Sequence, residues 1–161
     1  MSFNFTPKET TEILIKDVHF NEDDITLEPC KAEGAFYDLI PYEKDWCEIT
    51  EGRDIFTYDF KGKMFSKVIT NPPYRDNAPD GERKNICMKF IFRCLELCSD
   101  ECWLLLNLKM LNSLTPLRLK KIEEMGFNMS FMRIINIKKW YGRYYWLCFS
   151  KNKPAIIKYS V

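Results

Sequence analysis

Short apolar runs alternate with stretches of helical periodicity along the chain, which predicts an α/β fold with a mostly parallel sheet. Thr6-Pro7-Lys8-Glu9 reads as a capping box, with Thr6 as N-cap and Pro7 as the first helical residue. That helix is expected to reach about Lys16, with Ile13 and Leu14 inward. Ile25-Thr26-Leu27 is a short strand, followed by a turn and a second helix ending near Pro41. Residues 46–49, 54–56 and 67–70 read as three further strands, and 75–83 as loop. A helix then carries Ile86, Phe90, Cys94 and Leu97 on one face. Residues 103–108 are nearly all apolar, as a central parallel strand should be. Thr115-Pro116 opens another helix, which Gly126 ends. Residues 127–137 and 144–150 predict two antiparallel strands joined by 138–143. Tyr145 and Leu147 are expected on alternate faces, with Trp140, Tyr141 and Arg143 at the tip.

At 161 residues and 46% hydrophobic, the chain suits one compact domain. No apolar run approaches the roughly 18 residues of a membrane span, and the polar N-terminus lacks a signal region. The 7 cysteines include no CxxC pair, and His19 is the single histidine. Free thiols in a reducing, cytoplasmic compartment are expected, with no metal. Cys94, Cys98 and Cys102 recur every four residues, as along one helix face. Charge changes the picture more. Residues 1–80 hold 9 Lys+Arg against 17 Asp+Glu, and residues 81–161 hold 15 against 6. The basic half suits a phosphate-bearing partner, although charges clustered in sequence need not cluster in space.

The sharpest feature is Asn71-Pro72-Pro73-Tyr74, placed at the C-terminal end of an apolar strand, where open α/β sheets bind ligands. It resembles the catalytic motif of the S-adenosylmethionine-dependent amino methyltransferases, which act on N6 of adenine or N4 of cytosine; a related branch acts on protein glutamine. The resemblance implies a Rossmann-like methyltransferase fold, mostly parallel, with an antiparallel strand near the C-terminus. It also implies S-adenosylmethionine as cofactor. The chemistry suits the residue types. An exocyclic amine is a poor nucleophile because its lone pair is delocalised into the ring. The Asn71 side-chain carbonyl and the Pro72 backbone carbonyl can hold its N–H groups and localise that lone pair. The prolines fix the backbone in advance, and Tyr74 offers a stacking face.

Other segments match the same family. Phe5-Thr6-Pro7 resembles its N-terminal cofactor motif, although a capping box explains Thr6 and Pro7 without a ligand. Residues 27–36 resemble its cofactor loop, in which Glu28, Pro29, Gly34 and Phe36 match. Ala32 stands where the loop usually has its first glycine; a positive φ there would strain it by about 1 kcal/mol or more. The resemblance implies that Glu48 accepts from the ribose hydroxyls and that Asp54-Ile55 meets the adenine amine and ring, with Asp59 as a rival acid; an edge-strand charge at Glu48 and a turn former at Asp54 are the alternatives. Lys138, Lys139, Trp140, Tyr141 and Arg143 combine basic and aromatic character, which suits base stacking and phosphate contact; a Tyr/Trp-rich strand packed on the core is the alternative.

The expectation is therefore a single methyltransferase domain over 1–161, with no separate target-recognition domain, acting on adenine N6 in DNA ahead of RNA. Specificity would come from a homodimer or a partner subunit. Cytosine N4, RNA adenine, protein glutamine and a non-catalytic nucleic-acid-binding subunit stay open. The small size suits a phage or mobile element. Residues 71–82 are expected to be mobile and to close over substrate.

Overall fold

A computed structural model describes residues 5–73 and 86–161. Tyr74 and the remainder of the stretch expected to close over substrate lie outside the described residues. The strands are β1 (Ile25–Glu28), β2 (Glu43–Trp46), β3 (Phe65–Thr70), β4 (Cys98–Asn107), β5 (Asn128–Asn136) and β6 (Arg143–Ser150). They form one sheet in the order β2-β1-β3-β4-β6-β5. β2, β1, β3 and β4 pair in parallel, and β6 runs antiparallel to both β4 and β5. The predicted mixed, mostly parallel sheet is therefore present.

Helices cover both faces. α2 (Ile86–Leu97), α3 (Leu108–Leu111) and α4 (Pro116–Glu124) lie on one face, where Ile91, Cys94, Leu119 and Ile122 meet Val68, Leu104 and Leu147. α1 (Lys8–Leu14) lies on the other, where Leu14, Phe36 and Ile40 meet Ile69, Leu105 and Trp146. Residues 101–106 of β4 are all buried, as the continuous apolar run requires of a strand covered on both sides.

Several sequence expectations need correction. α1 buries Thr10, Thr11 and Leu14, while Ile13 is exposed, because the helical period puts 13 off the 10–14 stripe. Pro7, not Thr6, is its N-cap, with no side-chain cap. Residues 37–39 form only a 3-10 turn, short of the helix expected up to Pro41. The second strand lies at 43–46, ahead of the expected 46–49, and only Cys47 beyond it still bonds to Glu28 and Lys31. Residues 54–56 form a turn: the Asp54 carbonyl accepts the Thr57 and Tyr58 N–H groups. Cys98 and Cys102 belong to β4, so only Cys94 of that series is helical. Tyr145 and Leu147 share a face, as residues two apart in a strand must.

Two features of the backbone and core stand out. Ala32 has φ 48°, in the left-handed region, so its Cβ is strained by about 1–2 kcal/mol. At the N-terminal ends of β3 and β4, the buried Lys67 ammonium lies 3.4 Å from Asp24 and 3.4 Å from Glu101. Burial alone would raise both carboxyls. The Asn21 N–H, Ser66 hydroxyl and Lys67 outweigh it at Asp24; Lys153, Trp103 and Lys67 outweigh it at Glu101. Both are held below their ordinary values. Carboxylates held low stabilise the fold above the ordinary range and lose that contribution as pH falls through their folded values.

Lys67→Met keeps the stem and leaves two buried carboxylates without their shared cation. Urea unfolding at neutral pH should show a loss of about 3 kcal/mol, shrinking below about pH 4 as the carboxyls protonate. A neutral-pH loss under about 1 kcal/mol would mean that water already solvates the cluster. Ala32→Gly should raise the unfolding free energy by up to about 1 kcal/mol, read as a higher Tm. A lower Tm would show that residue 32 does not occupy the left-handed region.

Candidate functional site

Parallel pairing brings the C-terminal ends of β1, β2, β3 and β4 to one edge of the sheet. Glu28 pairs with Trp46, Leu27 with Val68, Thr70 with Leu104, and Asn107 with Tyr144. The loops after β1, β2 and β3 and the turn between β5 and β6 all open there. Glu28, Glu48, Asn71 and residues 138–142, far apart in sequence, come to one pole.

Asn71 follows β3 directly, and Pro72 beside it is buried. The Asn71 Nδ2 donates to Thr6 Oγ1 at 3.0 Å. Thr6 thus serves the Asn71 amide and not a helix cap. With Nδ2 directed at Thr6, the amide points its Oδ1 the other way. Phe5 is 41% exposed at the head of this segment. Pro7 accepts the Thr10 and Thr11 N–H groups and so starts α1 directly after Thr6.

The loop after β1 begins with Glu28, which is 3% exposed. Its Oε2 has no hydrogen-bond partner among the described residues. Burial pushes the carboxyl well above its ordinary value, and a hydrogen bond from the Tyr37 backbone N–H opposes this only in part. After Pro29 the chain turns tightly: Gly34 donates to the Lys31 carbonyl and accepts from Asp38. Gly34 has φ 84°, and a Cβ there would meet Asp38 Oδ1 at 3.2 Å, so glycine suits it. Phe36 turns inward and stacks on Trp146, with centroids 5.3 Å apart and planes at 6°.

Glu48 spans two loops. Its Oε2 accepts the Ala32 N–H at 2.8 Å, and its Oε1 accepts the Thr50 N–H at 3.2 Å and hydroxyl at 2.9 Å. Asp54 accepts the Phe56 N–H through Oδ1 at 3.0 Å. Ile55 is buried, and its carbonyl accepts Arg93 Nε at 3.2 Å. Nothing in the sequence marked Arg93, because its role depends on α2 packing beside this turn. Asp59 accepts the Lys61 N–H in a separate turn.

The β5–β6 turn is built firmly. Trp140 is half-buried and tilts onto Tyr144 at 4.9 Å, and its N–H donates to Ile137. Lys138, Lys139 and Arg143 are exposed, and Tyr141 is fully so at 102%. Trp140 therefore anchors the turn while Tyr141 and three cations project from it. The Cys30 and Cys47 thiols, near the first two loops, are pushed by burial up to about 12 and about 11, so both sit as protonated, weakly nucleophilic groups. Among the described residues no helix is long and apolar enough to cross a membrane.

No family model matches the chain, and no curated protein matches it in sequence. Solved structures do resemble it. One is a protein assigned as an RNA methyltransferase, from Pyrococcus horikoshii: 16% identity over 91% of this chain and 86% of that one, with TM-score 0.61. Another is a modification subunit assigned to a type I restriction enzyme, from Vibrio vulnificus: 12% identity, TM-score 0.63, covering 94% of this chain but 45% of that one. The E. cuniculi Mtq2–Trm112 complex, which methylates the termination factor eRF1, matches at 16% identity over 91% of this chain and 96% of that one, with TM-score 0.54. Identities this low show a shared fold, and the fold shared is the Rossmann-like fold of S-adenosylmethionine-dependent methyltransferases.

Proposed function

We propose that this chain transfers a methyl group from S-adenosylmethionine to the exocyclic amine of a nucleobase, adenine N6 in DNA first. The observation that carries the reading is the Asn71–Thr6 hydrogen bond at the end of β3, on the same edge as the exposed basic and aromatic turn. The loops fit the cofactor. Glu28 supplies a buried acceptor whose Oε2 has no partner among the described residues, Gly34 lacks the Cβ that would keep a ligand off the backbone, and Ala32 takes the left-handed conformation of the glycine usual at its position. Glu48 and Asp54 follow on the next loop in the family's order. Pro29, Ile55 and the Phe5-Thr6-Pro7 segment would complete the contacts, with Phe36 holding the first loop to the core. The bound cofactor supplies an electrophilic methyl group on a sulfonium.

The protein's part is positioning. Thr6 fixes the Asn71 amide so that its carbonyl and that of Pro72 can accept the two amine N–H bonds. This draws the nitrogen toward tetrahedral geometry and frees its lone pair for in-line attack. Pro73 holds the motif rigid, and Tyr74 is assigned as the base's stacking partner. Lys138, Lys139 and Arg143 would meet phosphates, and Trp140 and Tyr141 a base. A duplex substrate must present its base flipped out. A glutamine amide offers a similar NH₂ group, and the likeness to the eRF1-methylating complex keeps a polypeptide substrate and a partner subunit in view.

Incubation with labelled S-adenosylmethionine and duplex DNA, single-stranded DNA, RNA or a glutamine peptide, followed by mass spectrometry, separates these readings. The expected product is N6-methyldeoxyadenosine, reduced at least about 100-fold by Asn71→Ala. No label on any nucleic acid would sink the proposal. Glu28 gives a second test. A carboxyl held above its ordinary 4.5 contributes stability below that pH and loses it as pH rises through the folded value. Glu28→Gln should remove this decline and keep wild-type stability or better at pH 8, while weakening cofactor binding in calorimetry. A variant less stable than wild type at pH 8 would show that the carboxylate is the favoured form.

A further inference from the structure

Beside the loops assigned to the cofactor lies a stack of cations and aromatic rings that the proposed chemistry does not use. The Lys31 ammonium is 4.0 Å from the centroid of the Trp46 ring. The Arg53 guanidinium is 4.2 Å from the same centroid and 4.1 Å from that of Tyr58. All four residues are half-buried, where water screens such contacts less than in the open. Two cations on one indole would repel, but each has its own carboxylate. Lys31 pairs with Glu51 at 3.3 Å, and Arg53 with Asp45 at 2.5 Å.

The placement gives the stack its meaning. Lys31 precedes Ala32, the strained residue of the first loop. Trp46 ends β2 two residues before Glu48. Arg53 precedes Asp54, and its N–H donates to the Glu48 carbonyl. Lys31, Trp46 and Arg53 are thus each one or two residues from a group assigned to the cofactor, and with Tyr58 they join the loop after β1 to the loop after β2, which also meet through Glu48 and the Cys47 backbone. A stack serving stability alone could sit anywhere on the surface; this one bridges the two loops whose spacing a nucleoside would read.

We infer that Lys31, Trp46, Arg53 and Tyr58 are positioning residues that hold the loops after β1 and β2 at the spacing S-adenosylmethionine needs, with Trp46 as the central plate. This rests on the assignment of the loops around Ala32, Glu48 and Asp54 to the cofactor. Trp46→Leu removes the ring, and Trp46→Phe keeps a smaller one. Calorimetric titration with S-adenosylhomocysteine should show the Leu variant binding at least fivefold more weakly and the Phe variant within twofold of wild type. Lys31→Met, which leaves the ring in place, should weaken binding about threefold and guards against a Leu variant that fails to fold. Turnover at saturating cofactor should stay within twofold throughout. A Trp46→Leu protein with lowered Tm but wild-type affinity would overturn the inference and leave the stack purely stabilising. Asp54→Ala, titrated alongside, separates the two levels. If it too leaves affinity unchanged, the loop assignment fails and the inference falls with it. If it weakens binding while both stack variants do not, the inference alone fails.

Discussion

β3 and β4 have almost no solvent face, and their neighbours follow from that constraint. Every backbone N–H and C=O in such strands must find a partner within the sheet, and every side chain must be covered by another layer. The chain meets both demands by pairing β1, β3 and β4 in parallel and covering the sheet with α1 on one face and α2, α3 and α4 on the other. Parallel pairing then sets all these strand ends at one edge. There the ladder stops, backbone groups become available, and polar side chains can stand without desolvation on all sides. The candidate site lies at this edge because little else in the sheet could hold one.

The two ends of the sheet treat buried charge in opposite ways. Near the N-terminal ends, Lys67 lies between Asp24 and Glu101, and a second cation, Lys153, bonds Glu101. Desolvation is overcome there, and the carboxyls stay low. At the other end Glu28 receives one backbone N–H while Asp38 and Glu48 add negative potential, so desolvation prevails and its carboxyl rises. The outcomes are opposite because Lys67 and Lys153 bond Asp24 and Glu101 directly, whereas at the more deeply desolvated Glu28 the Lys31 charge and one backbone N–H fall short of the cost of burial. The first cluster is complete without a ligand; the second has an acceptor still to be filled.

The fold was largely legible from the sequence because its strongest signals are local. The apolar run through β4, the Pro-started α4 and the paired strands near the C-terminus each carry a period or a boundary residue that only one element satisfies. Less legible were the short connections. Residues 54–56 look like a strand by β-propensity, yet the Asp54 side chain and carbonyl close a turn that local bonds favour over any ladder. Thr6 looked like a helix cap, and the nearby Asn71 amide drew its hydroxyl away. The Thr6 outcome depends on a partner 65 residues distant, which no local pattern contains.

The sequence by itself determined the α/β class, the strand that carries Asn71-Pro72-Pro73, and the order of the acidic and glycine-bearing loops, because composition and period act over a few residues. Tertiary structure alone decided which side chains serve one another. It put Ala32 in a left-handed conformation against Glu48, and it turned Phe36 into the core while leaving Tyr141 outside. It also set Trp46 between Lys31 and Arg53. Those choices follow from the separation and register of strands, and register is a property of the packed sheet.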